Sequence, residues 1–322
     1  MGSVLIVSGS GDAHALHMQK VLDSKKITNF LFLTNKYPYL AHINFDFQEG
    51  CTIFCNGNSV EITSDWSIWN RRLFSPEFPE GFPKNLEAMV TEEAKATIQG
   101  LLVTHRGLVV NNPANNYRAS NKMHQLRLAE EIGLRIPDTI ITNVPKRAVN
   151  FYEEHNRDII FKMQKLPIVE VDGKYKTIMT TKVKSEDLIF IERIRNNPCC
   201  FQERIEKEYE IRLTVIGNQL FPIAIYSQNS EYSKDDFRRY DFENVKYKLV
   251  EMPKDLGEKI LLLTREYGLH YATIDLILTP KGDYIFLEVN PNGQYLWTEE
   301  MSGISITEAF ADYLSGDGVR KF

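Results

Sequence analysis

Two carboxylates and one amide stand close together near the end of this 322-residue chain: Asp275, then Glu288 and Asn290. The segments around them, 271–278 and 284–290, read as two strands joined by the turn Pro280-Lys281-Gly282-Asp283. Side chains alternate across a strand, so Glu288 and Asn290 share a face, and the short turn brings Asp275 opposite Glu288. An all-oxygen set of this kind suits a hard divalent cation, Mg²⁺ above all. The plainer reading makes both acids solvated strand residues. Their neighbours argue against it: Ile274, Leu276, Ile277 and Leu278, with Ile285, Phe286, Leu287 and Val289, form nearly continuous apolar runs. Such strands are covered on both faces, where an uncompensated carboxylate is costly. Three cations complete a phosphate-binding set: Lys122 in the first turn of a helix, Lys162 at the end of a β-like run, and Arg212 within EIRLTVI. Each alone reads as a surface charge. No G-x-x-x-x-G-K-[ST] occurs, which excludes a P-loop.

The elements that must position these residues follow from pattern and punctuation. Residues 4–8 (VLIVS) form an apolar run before Gly9-Ser10-Gly11, a helical stretch spans about 12–24, and a second run covers 30–33. That β-α-β order implies a small parallel sheet. Residues 66–72 (WSIWNRR) and 108–111 read as further strands, and 86–102 as an amphipathic helix. Ser120 is the expected cap of a helix over 121–132, closed by Gly133. Strands are expected at 136–143 and 158–163, with a helix at 148–155 between them. The polar stretch 165–175, with Pro167 and Asp172-Gly173, reads as a hairpin or loop able to act as a lid. FQERI (201–205) reads as a short connector. EIRLTVI, Gly217-Asn218 and 219–226 make a hairpin. The charged, aromatic stretch 228–250 is expected to be exposed, and helices are expected at 256–267 and 306–314.

Composition bounds the function. Lys and Arg number 38 and Asp and Glu 43, a formal charge of −5, which disfavours a general nucleic-acid binder. No stretch approaches the roughly 18–20 apolar residues that cross a bilayer, so a cytoplasmic protein without a membrane partner is expected. Cys51, Cys55, Cys199 and Cys200 lack the spacing of a zinc site and read as reduced structural residues. His105, His124 and His270 are scattered and suggest no nucleophile–base pair. Gly9-Ser10-Gly11 has His14 where a dinucleotide fingerprint needs its third glycine, and Thr34-Asn35 where it needs an acid, so it reads as a tight strand-to-helix turn.

The order Lys122, Lys162, FQERI, Glu210-Ile211-Arg212, Asp275, Glu288-Val289-Asn290 resembles the ATP-grasp superfamily over the whole chain. The resemblance implies an α/β (α+β) ATP-grasp fold in three parts: a small parallel-sheet lobe over 1–117, a central lobe over 118–198 and a C-terminal lobe with the metal site over 199–322. It implies an ATP site of Lys122, Lys162, Gln202, Glu203, Arg204, Ile205, Glu210 and Arg212, with Lys122 and Lys162 on the phosphates, Arg212 facing the transferred phosphoryl group, and Arg212 and Lys162 as the catalytic residues. Asp275, Glu288 and Asn290 would then hold Mg²⁺, two ions being expected. A narrower likeness is carried by 271–297, with its tail NPNGQYLW, and by WSIWNRR. These resemble the graspetide macrocyclases, the microviridin-type peptide ligases. That likeness implies ATP-dependent activation of Asp or Glu side chains in a leader-bearing precursor peptide and ring closure by a Thr or Ser hydroxyl or a Lys amine, ester favoured. Trp69, Arg71 and Arg72 would face the peptide carboxylate, and Phe237, Arg238 and Arg239 would dock the leader; a homodimer is the family-level expectation. The rival readings are an amino-acid ligase of the glutamate-adding or glutathione-synthetase type, and a nucleotide-binding module without catalysis.

Overall fold

The computed structural model describes residues 2–165, 168–229 and 244–316. Its first unit is the expected β-α-β: β1 (Val4–Ser8) pairs in parallel with β2 (Asn29–Leu33) across α1 (Ala13–Ser24). Asp12 starts that helix by accepting from the N–H groups of His14 and Ala15, which leaves fewer orphan donors at the helix end. An antiparallel meander that periodicity did not reveal follows: β3 (Ala41–Asp46), β4 (Gly50–Cys55) and β5 (Asn58–Ile62). β6 (Ser67–Asn70) joins β1 on its other side; α2 (Lys84–Thr104) and β7 (Val109–Val110) complete a parallel sheet of order β2-β1-β6-β7. Every residue of β1 is buried because this sheet is covered twice, by the meander and α2 on one face and by α1 on the other.

Two helices then turn the chain: α3 (Pro113–Ala119) and α4 (Lys122–Glu131). The cap of α4 is Asn121, whose side chain accepts from His124 N–H, and not Ser120 as expected. Ser120 instead closes α3, its hydroxyl bonding back to Asn116 O. Both residue types cap helices, and the extra helix ending at 119 decides which serves.

The middle region runs β8 (Thr139–Thr142), α5 (Pro145–Glu154), β9 (Ile159–Lys162), the exposed hairpin β10 (Ile168–Val171) and β11 (Lys174–Thr177), which is a sheet of its own, then β12 (Thr181–Lys182), a 3-10 helix (Ser185–Asn196) and β13 (Cys199–Glu203). FQERI is not a connector: its first three residues are the end of β13, which lies between β9 and β8 in the order β12-β9-β13-β8. The apolar faces of this sheet and α5 enclose Phe151, Ile159 and Phe201.

β14 (Tyr209–Ile216) and β15 (Gln219–Ile225) form the expected hairpin, and β16 (Tyr247–Leu249) adds to its edge. α6 (Lys254–Tyr267) ends at Gly268, whose left-handed φ of 65° suits glycine. β17 (Tyr271–Leu278) and β18 (Tyr284–Asn290) complete an antiparallel sheet of order β16-β15-β14-β17-β18, with α7 (Leu296–Ser302) and α8 (Ile306–Ser315) after it. α4 and α6 cover one face of this sheet, burying Leu126, Ile260 and Leu263 against Leu213, Ile274 and Leu276; a fully buried aliphatic side chain contributes about 1.5–3 kcal/mol. α8 returns to the N-terminal sheet, where Phe310, Ala311 and Leu314 pack with Val4, Ile6 and Met18. The four cysteines are free and buried. Among the described residues no helix is long and apolar enough to cross a membrane.

Candidate active site

A cleft of about 440 Å³ opens between the middle sheet and the β14–β17–β18 sheet. β9 contributes Lys162, α4 contributes Lys122 and Gln125, and the end of β13 contributes Gln202 and Glu203. Arg204, Ile205, Lys207 and Glu210 continue the wall, and Asp275, Glu288 and Asn290 close it. Of the residues expected to hold nucleotide and metal, only Arg212 is absent from this lining.

Register explains the carboxylate cluster. Arg212 of β14 lies opposite Asp275 of β17, which lies opposite Glu288 of β18, while Thr273 faces Asn290. The pairing then slips between Asp275 and Leu276, so that Leu276 meets Phe286 and Leu287 is the extra residue. Without this bulge Phe286 would share the face of Glu288. With it Phe286 turns into the core, and Leu287 joins the cleft wall. The continuous apolar run seen in the sequence therefore comes partly from a bulge and only partly from double coverage.

The acids carry partners. Asp275, 8% exposed, accepts from Arg212 Nη1 at 2.8 Å. Glu288 pairs with Lys122. Arg212 gives its other terminal nitrogen to Gln294 O at 3.1 Å. Burial works against the Arg212 charge, and the Asp275 carboxylate outweighs it, holding the guanidinium pKa above its usual value. The donor set fits a divalent cation with polyphosphate: carboxylate and amide oxygens on one sheet face, beside two lysines in one cleft. At the other end Gln202 is buried with its amide on Thr139 Oγ1 at 2.7 Å. Glu203 accepts from Asp138 N–H, and Arg204 Nε donates to Asp158 at 2.8 Å. Ser227 Oγ and Lys207 Nζ donate to Glu210. Burial raises the Cys200 thiol pKa, with Lys162 and Lys122 pulling the other way.

The loop after Asn290 explains part of the NPNGQYLW stretch. Four consecutive carbonyls each accept from a different side chain: Pro291 O from Asn111 Nδ2 at 2.9 Å, Asn292 O from Arg71 Nη1 at 2.9 Å, Gly293 O from Tyr271 OH at 2.6 Å, and Gln294 O from Arg212. The next two N–H groups, of Tyr295 and Leu296, donate to His14 Nε2. That nitrogen must therefore carry no proton. Burial agrees, lowering the His14 pKa. Asp12 is also buried, but the His14 hydrogen bond and the Arg71 guanidinium outweigh that and hold its carboxyl well below the usual range. Asn111 further accepts from the N–H groups of His270 and Tyr271. None of these long-range main-chain bonds has a periodicity that a sequence could show.

A second hollow of about 380 Å³ adjoins Asn290 and is lined by Asn70, Arg71, Arg72, Asn116 and Asn292 among others. Trp69 does not reach it. The ring is 2% exposed and packs edge-on against Phe310, 5.1 Å away, because residues of a central parallel strand face helices on both sides. Arg71 is 4% exposed and is already engaged with Asn292 and Asp12; Arg72 is exposed. Phe237, Arg238 and Arg239 lie outside the described residues.

Comparison with known proteins follows this geometry. Residues 3–118 match the family described as the MvdD pre-ATP grasp domain, and residues 119–314 match the RimK-like ATP-grasp domain. The solved macrocyclase MdnC of Microcystis aeruginosa MRC, bound with precursor peptide MdnA, is 28% identical with a TM-score of 0.87, over 98% of this chain and 99% of that one. A RiPP-associated ATP-grasp ligase of Chryseobacterium gregarium, in complex with ADP and a leader and core peptide, is 27% identical with a TM-score of 0.92, over 99% and 98%. Among curated proteins, the alpha-aminoadipate–LysW ligase LysX of Sulfurisphaera tokodaii is 22% identical over 227 residues, 68% of this chain and 75% of that protein. The fold is that of the ATP-grasp ligases, as expected.

Proposed function

The chain belongs to the RimK-like ATP-grasp ligases, and on that premise we propose that it is a graspetide-type macrocyclase acting on a ribosomal precursor peptide. The observation that carries the reading is one sheet face bearing Asp275, Glu288 and Asn290 at the end of a cleft that also holds Lys122 and Lys162. The likeness to two peptide-bound ligases over nearly the whole chain supports the substrate class. In this reading 1–117 is a pre-grasp unit, while 118–198 and 199–322 are the lobes that close on ATP.

The reaction balances simply. An Asp or Glu carboxylate oxygen of the peptide attacks the γ-phosphorus of ATP, the bond to ADP breaks, and an acyl phosphate forms. A Thr or Ser hydroxyl, or a Lys amine, then attacks the acyl carbon, inorganic phosphate leaves and one proton is released; we favour the ester. Mg²⁺, with two ions expected, supplies charge neutralisation on the phosphates when held by Asp275, Glu288 and Asn290. Lys122 and Lys162 bind phosphate oxygens, and Gln202, Glu203, Arg204 and Ile205 border the adenine, partly through main chain. Glu210 belongs to the same ATP-contacting wall in this reading. Arg212 acts from behind Asp275, fixing that carboxylate and reaching the phosphoryl group only if its partner shifts to metal. The hollow with Arg72 beside Asn290 receives the peptide carboxylate.

Purified protein should release ADP in the presence of its precursor peptide and far less without it. Each ring closed should lower the peptide mass by one water, and mild base should reverse it for an ester. Equal ADP release with a free amino acid and no peptide would support the amino-acid ligase that the LysX likeness suggests; no ADP release under any condition would support a non-catalytic module. The β10–β11 hairpin, exposed along its length, is the lid in this reading. Limited proteolysis should cut it readily in the free protein and slowly with a non-hydrolysable ATP analogue bound; unchanged cutting removes the lid role.

A further inference from the structure

β18 is the outermost strand of its sheet, so one side of its main chain has no strand to pair with. Exposed or buried, such an edge needs a cover. Arg135 covers part of it, its carbonyl accepting from Phe286 N–H at 2.7 Å. At Val289 the cover is a side chain. Gln125 Oε1 accepts from Val289 N–H at 3.1 Å, and Gln125 Nε2 donates to Val289 O at 2.9 Å and to Ala119 O at 2.5 Å. One amide thus imitates a neighbouring strand at a single residue, and that residue stands between Glu288 and Asn290.

The placement has a consequence. Lys122 and Gln125 are three apart on α4 and share its face. The first pairs with the Glu288 carboxylate and the second grips the main chain one residue on. Gln125 is 3% exposed, and all of its polar atoms are used. The two bonds to Gln125 fix both peptide planes of Val289, and those planes carry the Cα atoms of Glu288 and Asn290. Just upstream the Leu287 bulge interrupts the pairing with β17 between Phe286 and Glu288, while Glu288, Val289 and Asn290 stay in register with Asp275, Ile274 and Thr273.

We propose that Gln125 is a positioning residue that sets the separation and aim of Glu288 and Asn290 as oxygen donors for Mg²⁺, acting through the Val289 main chain. This rests on the reading of those residues as metal-holding groups. A residue that orients a ligand from behind is worth about 10–100-fold in metal affinity, and the two-point grip on Val289 places Gln125 in that position.

The test is ADP binding followed by calorimetry while Mg²⁺ is varied, on the full chain with wild-type, Gln125→Glu and Gln125→Met proteins. Gln125→Glu keeps the acceptor for Val289 N–H and loses the donor for Val289 O. Gln125→Met keeps the approximate volume and loses both, without a new charge. The expected result is a shift of the Mg²⁺ half-saturation by about tenfold or more in both variants, larger than any change in ADP affinity measured in chelator. A lowered melting temperature with wild-type Mg²⁺ half-saturation would show a purely structural glutamine and overturn the proposal. ADP binding by the wild type that ignores Mg²⁺ would overturn the metal reading itself and this proposal with it.

Discussion

Asp275→Asn is expected to reduce peptide-dependent ADP release by at least about a hundredfold in a protein that still melts cooperatively. The amide keeps the shape of the side chain and can still accept a hydrogen bond from Arg212 through its remaining oxygen. What it removes is the negative charge that a divalent cation needs. Asp275→Ala should behave differently. Arg212 is buried, with Asp275 as its charged partner at 2.8 Å. Deleting one member of a buried pair costs about 3–5 kcal/mol, mostly because a stranded charge remains. The alanine variant should therefore lose both activity and melting temperature, whereas the asparagine variant loses activity with a smaller change in stability. Thermal melts beside an ADP-release assay separate the two. Turnover by Asp275→Asn at a rate near wild type would sink the assignment of Asp275 to the metal. Glu288 offers a milder comparison, being more exposed and paired with a lysine that solvent also reaches.

The parts of this fold that were legible in the sequence are those set by local rules. Gly217-Asn218 and 280–283 forced two hairpins, and the β14 and β17–β18 strands around them carry Arg212, Asp275 and Glu288. The first β-α-β was equally legible, because an apolar run, a turn and a helix period suffice. β13 was not. Its strand character comes from neighbours at Thr139–Thr142 and Ile159–Lys162, about forty to sixty residues away. The meander of β3–β5 was also missed as a sheet, although Cys51 and Cys55 alternate inward with Ile53 as a half-buried strand should. Trp69 was expected to face substrate from the family likeness alone, yet β6 is a central strand and buries it. Gln125, Asn111 and His14 were invisible for one reason: each serves by bonding the main chain of a distant segment. A possible clue was Gln125 lying one helical turn after Lys122. The loop 291–296 carried a sequence signal whose cause was hidden. Four of its carbonyls are held by side chains around it.

Gly293→Ala should therefore be among the most damaging single substitutions in the molecule. A Cβ at this position would lie 1.7 Å from Thr273 Oγ1 and 2.7 Å from its Cβ, distances no real pair of atoms tolerates. Thr273 is fully buried on β17, opposite Asn290, so neither side can simply rotate away. The loop must lift instead, and lifting breaks tethers in sequence. The first is Tyr271 OH to Gly293 O; the bonds to Asn292 O and Gln294 O follow. Each intramolecular hydrogen bond is worth about 0.5–1.5 kcal/mol net, and overpacking a core adds about 1–3 kcal/mol. The expected loss is about 2–5 kcal/mol of stability on those figures, with turnover falling further than stability explains, because Arg212 loses its anchor on Gln294 beside Asp275. Gly100→Ala is the control: that glycine lies in α2 with nothing within 4 Å of the added methyl, and the change should stabilise by up to about 1 kcal/mol. Thr273→Gly in the Gly293→Ala background removes the atoms the new methyl strikes. If steric displacement of the loop is the cause, this pair should recover activity relative to Gly293→Ala even though a strand glycine itself costs stability. Should the double variant stay as inactive as the single one while melting no lower, the clash with Thr273 is not what ties this loop to the face bearing Asp275 and Glu288.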